Sequence, residues 1–103
     1  MSNSNAEIFA LIATQMMSGS HVEVGGERIP VRRSSAQHLK TVKFSVRGRE
    51  YTGVEQNPEK PSRWGQLARA GRAVVQFIDN ETHKFVAVCV DGRVKEFGSD
   101  PKG

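Results

Sequence analysis

The segment Asn57 to Gly71, Asn-Pro-Glu-Lys-Pro-Ser-Arg-Trp-Gly-Gln-Leu-Ala-Arg-Ala-Gly, constrains the fold more than any other part of the chain. Pro58 and Pro61 push the residues before them towards extended backbone, Ser62 can cap a first helical turn, and Gly71 can take the left-handed conformation that closes the last one. A short helix near residues 62–70 is therefore expected midway along the chain. Trp64, Leu67 and Ala68 share one of its faces, which should anchor it on an apolar surface. Arg63, Gln66 and Ala70 lie towards the other face, with Arg69 beside them.

On both sides of this helix the apolar period is two. Val42, Phe44 and Val46 alternate with Lys43, Ser45 and Arg47, and Arg47-Gly48 turns the chain into a second strand from Glu50 to Gln56. After the helix, Val74 to Ile78, Lys84 to Val90 and Arg93 to Phe97 read as three strands, joined by a loop at Asp79–His83 and by a two-residue turn at Asp91-Gly92. Val86 to Val90 is apolar on both faces and should lie centrally in the sheet. Earlier, His21 to Val24 and Arg28 to Arg33 flank the loop Gly25-Gly26-Glu27, and Pro30, with no N–H to donate, assigns the second of these strands to an edge or a bulge. The polar residues 34–40 read as a mobile connection.

The N-terminal region predicts a helix from about Asn5 to Ser18, with Ser4 and Glu7 at capping-box spacing and Gly19 at its end. Ile8, Leu11, Ile12, Gln15 and Met16 form one face, yet Phe9, Ala10, Ala13 and Met17 make the other apolar too, and Glu7 is the only charged residue. Such a helix must be covered by its own sheet, a second copy or another protein, and its own sheet is the commonest cover.

These signals together predict an α+β fold: a twisted antiparallel sheet of about five to seven short strands, able to curl into a small open barrel, with an N-terminal helix and a second short helix inserted midway. At 103 residues the chain suits one domain, with a helical segment at 1–20, a β-rich core at 21–98 and a flexible tail at 99–103. In architecture alone, a helix inserted among antiparallel strands resembles the small oligonucleotide-binding barrels.

The single cysteine, Cys89, excludes an intrachain disulfide, so a reducing, cytoplasmic setting is expected. The apolar run Ile8–Met17 is preceded by no Lys or Arg and is too short to cross a bilayer, which needs about 20 residues, so no membrane association is expected.

Catalytic constellations do not emerge. His21, His38 and His83 are far apart and lack metal-ligand spacing, and Asp79, Glu81 and His83 are better explained as a solvated loop than as a metal or proton-relay site. Cys89 in an apolar strand predicts a buried thiol, and Ser34, Ser35 and His38 lack an acidic third member and an oxyanion motif. There is no phosphate-binding glycine motif. The expectation is a protein that is not an enzyme and needs no cofactor.

Charge offers the remaining lead. The formal charge is +4, and both the hairpin region 21–57 and the helix region 58–74 are net basic, whereas the ends are slightly acidic. A central basic belt favours an anionic partner, nucleic acid or an acidic protein, although basic hairpin edges also serve to deter aggregation. The candidate anion-binding residues are Lys43, Arg47 and Arg49 on the hairpin and Lys60, Ser62, Arg63, Arg69 and Arg72 around the helix, with Tyr51 available to stack a base. The alternative is a protein-interaction module or small assembly subunit that uses the apolar N-terminal helix, including as a homo-oligomer.

Overall fold

The computed structural model describes residues 4–97, with side chains from Ala6 onward. The predicted capping contact of Ser4 and the tail 99–103 lie outside the described side chains and residues. The elements run α1 (Ser4–Ser18), β1 (His21–Val24), β2 (Glu27–Pro30), β3 (Arg32–Arg33), β4 (Lys40–Val46), β5 (Arg49–Glu55), α2 (Arg63–Arg69), β6 (Val74–Asp79), β7 (Phe85–Val90) and β8 (Arg93–Phe97). The fold is α+β: β1 and β2 form a two-stranded sheet, and β3 to β8 form a six-stranded antiparallel sheet in sequential order.

Tight turns set the register. Arg47-Gly48 and Asp91-Gly92 have positive φ at both positions, the combination that matches strand twist, and they bring Val46 opposite Arg49 and Val90 opposite Arg93. Gly25-Gly26 makes a third such turn, with Glu27 the first residue of β2 rather than part of the loop. Pro30 ends β2. The run expected as one strand, Arg28 to Arg33, is divided there: its first part pairs with β1, and Arg32 and Arg33 pair with Thr41 and Lys40 at the margin of the main sheet. The sheet stays open, because β3 and β8 are not paired with each other; its sequential order also departs from the Greek-key order of the oligonucleotide-binding barrels.

Each face of the main sheet receives a different helix. Val42, Phe44, Tyr51, Val75, Phe77, Ala87 and Cys89 point to one side, where Phe9, Ile12, Ala13 and Met16 of α1 and Val22 of β1 complete the main core. Val74, Val88 and Val90 point to the opposite side, where Trp64, Leu67 and Ala68 of α2 pack against them. The side-chain alternation of β6 and β7 therefore builds two cores back to back, rather than helices grouped on one face or end. Gly53 leaves the space that the Phe77 ring and the Met16 sulfur occupy.

Side-chain hydrogen bonds close the connections. Lys40 Nζ donates to the carbonyls of Met16 (3.2 Å) and Met17 (3.1 Å), supplying the C-terminal turn of α1 with a cation. The connection before β4 is an ordered turn: the amide of Leu39 donates to Ser34 Oγ, and Arg33 donates to the His38 carbonyl at 2.6 Å. Among the described residues no helix is long and apolar enough to cross a membrane.

Candidate polyanion-binding face

The register decides which basic side chains share a surface. Directly opposed residues on paired strands project to the same face, so Arg32, Thr41, Val54, Gln76, Val88 and Glu96 form one row across the sheet on the α2 side. Lys43, Thr52, Ile78 and Phe85 form the next row. Because α2 covers the β6–β7 end, the remainder of this face is a floor of half-buried Thr52, Val54, Gln76 and Ile78, bordered at the β3–β4 margin by exposed Arg32 and Lys43.

Of the residues expected to bind an anion, several are engaged within the fold. Arg63 reaches across to Glu96 at 2.7 Å and lies 4.4 Å from the Trp64 ring centroid. Arg69 turns back to the carbonyls of Pro58 and Lys60 and so ties α2 to its lead-in. Arg72 pairs with Asp91 at 2.6 Å, and Ser62 accepts from the Gly65 amide at 3.2 Å as the N-cap. Arg49 points to the α1 side, where Nε meets Asp79 at 2.7 Å and a second nitrogen meets Glu81 at 3.3 Å. Tyr51 is a correction to the sequence expectation: its ring packs on Phe9 and Phe44 in the main core and offers no stacking surface. Lys43 and Lys60 are exposed without a carboxylate partner among the described residues, and Arg47 is exposed at the tip of the β4–β5 hairpin.

Sequence reasoning missed Arg32. With Lys43, Thr41, Ile29, Pro30 and Val42 it lines a cleft of about 310 Å³ where the chain passes from β2 to β3. Pro30 was the available signal, since it marks where the strand leaves one sheet, but only the pairing of Arg32 with Thr41 sets Arg32 beside Lys43.

Asp79 is buried rather than solvated, correcting the loop reading. Burial alone would raise its carboxyl, but hydrogen bonds from Arg49 and from the amides of Glu81 and Thr82 hold it below the usual carboxylate value. The amide of Ala73, then Arg72, lowers Asp91 in the same way. A folded-state value below the unfolded one means that this stabilisation is present above the unfolded value of about 3.9 and is lost as pH falls through the folded value. Asp79→Ala strands two amides, so thermal melts should show a loss of about 2–3 kcal/mol near neutral pH and a flatter stability profile below about pH 5. An unchanged melting temperature would refute the role of Asp79 as the organiser of the β6–β7 loop.

Burial pushes the Cys89 thiol up to about 12, so it is not a nucleophile near neutrality. No group of three metal-ligating side chains occurs among the described residues. No family model matches the chain, and neither a curated protein nor a solved structure matches it.

Proposed function

We propose that the protein is a small non-enzymatic binding module for nucleic acid, using the α2 side of its sheet. The observation that supports this reading is the open face itself, with Arg32 and Lys43 on its margin in no ion pair among the described residues. Lys60 before α2 and Arg47 at the hairpin tip extend the positive field from this face. Arg63 and Arg69 act indirectly: they hold α2 and its lead-in in place. The apolar α1 offers less to a partner, since Phe9, Ile12, Ala13 and Met16 are buried in its own core and Leu11 is its exposed large apolar residue.

Fluorescence anisotropy with labelled single- and double-stranded oligonucleotides tests the reading. With about four phosphates contacted on a single strand, a fourfold rise in salt from about 50 mM should weaken binding roughly 50-fold. No binding to either probe at the lower salt would reject nucleic acid as the partner.

A further inference from the structure

We propose that the cleft between β2 and the β3–β4 margin is the site that grips the strand, and that it holds one sugar-phosphate unit of a single-stranded nucleic acid; this rests on the module reading above. Arg32 lies directly opposite Thr41, and Lys43 follows two residues along on the same face. The guanidinium, the hydroxyl and the ammonium can therefore converge on one phosphate from three adjacent positions. Ile29 and Pro30 form the other wall. Pro30 has no backbone N–H, so this wall presents apolar surface suited to a sugar or a base face.

The size and position of the cleft select the ligand. At about 310 Å³ it takes a single unit of a chain. A duplex is read by an element that projects into its groove, whereas a concave corner accepts a unit that can leave its stack, as single strands permit. The other arginines with long reach are committed: Arg49 to Asp79 and Glu81, Arg63 to Glu96, and Arg72 to Asp91. Arg33, next to Arg32, is held by the His38 carbonyl. Neighbouring arginines thus divide the work, one closing a loop and one facing the cleft.

The test combines binding with amide chemical shifts. The double variant Arg32→Gln with Lys43→Gln should bind an oligo-thymidine at least about tenfold more weakly, with the salt slope reduced by about 1 per lost phosphate contact. Lys84→Gln with Lys95→Gln removes the same charge away from the cleft and should change affinity by less than about twofold. In the unsubstituted protein, a thymidine dinucleotide should shift the amides of Arg32, Thr41 and Lys43 before those of α2, a readout independent of any variant's folding. Equal weakening of both double variants, or shifts centred on α2, would overturn the cleft while leaving the module reading in place. Duplex binding as tight as single-strand binding would overturn the single-strand assignment. A polyglutamate peptide that shifts the same amides and displaces the oligonucleotide would overturn it in favour of an acidic protein. Failure of the unsubstituted protein to bind any oligonucleotide at low salt would reject the module reading and the cleft together.

Discussion

Phe77→Ala is expected to cost about 3–5 kcal/mol, a large share of the roughly 5–15 kcal/mol that holds a domain together, and to lower the melting temperature by at least about 15 °C. Phe77 is fully buried at the meeting point of α1 and the sheet. Its ring stacks on Phe9 with centroids 4.7 Å apart and meets Phe44 edge-on at 5.8 Å, and it fills the space left above Gly53. Truncation leaves a cavity whose walls belong to a helix and three strands, so no single element can move to close it. Urea unfolding is the direct check. A loss below about 1.5 kcal/mol would show that the site collapses without cost and that Phe77 is not the centre of the core.

Gly65→Ala should also be strongly destabilising, by about 2–3 kcal/mol, against the sign that helix propensity predicts. In an unconstrained helix interior alanine is favoured over glycine by about 1 kcal/mol. Here an alanine Cβ would overlap the carbonyl oxygen of Lys60 and approach its carbonyl carbon to 2.9 Å. Both atoms are backbone, held in place by Arg69 and by the proline-bounded lead-in, so relief requires pulling α2 away from the loop. That movement would break the Ser62 cap and lift Trp64 from Val74, Val88 and Val90. Trp64 is the only tryptophan, so a red shift of its emission together with a lower melting temperature would report the displacement. A stabilised variant would mean that the Lys60 carbonyl does not pack against the helix.

What the two substitutions share is a reliance on contacts far apart in sequence, and this marks the limit of what was legible beforehand. Local chemistry determined the elements. Proline, serine and glycine delimit α2, Arg47-Gly48 and Asp91-Gly92 specify hairpin turns, and alternation around Phe44 assigns one face of β4 to the core, because backbone preference and side-chain period act over a few residues. The α+β class and the anchoring role of Trp64 and Leu67 follow from the same short-range rules. Charge counted along the chain was a poorer guide to a surface. Arg49, Arg63 and Arg72 look alike in sequence, yet each meets a carboxylate on another element, at Asp79, Glu96 and Asp91 respectively. Tyr51 has the composition of a stacking residue but the register of a core one. The sequence by itself determined which segments are helix, strand and turn. Only the tertiary structure decided that the helices lie on opposite faces, which cations are paired, and that Arg32 stands beside Lys43, since ion pairs and clefts depend on strand pairing between distant residues that no local preference encodes.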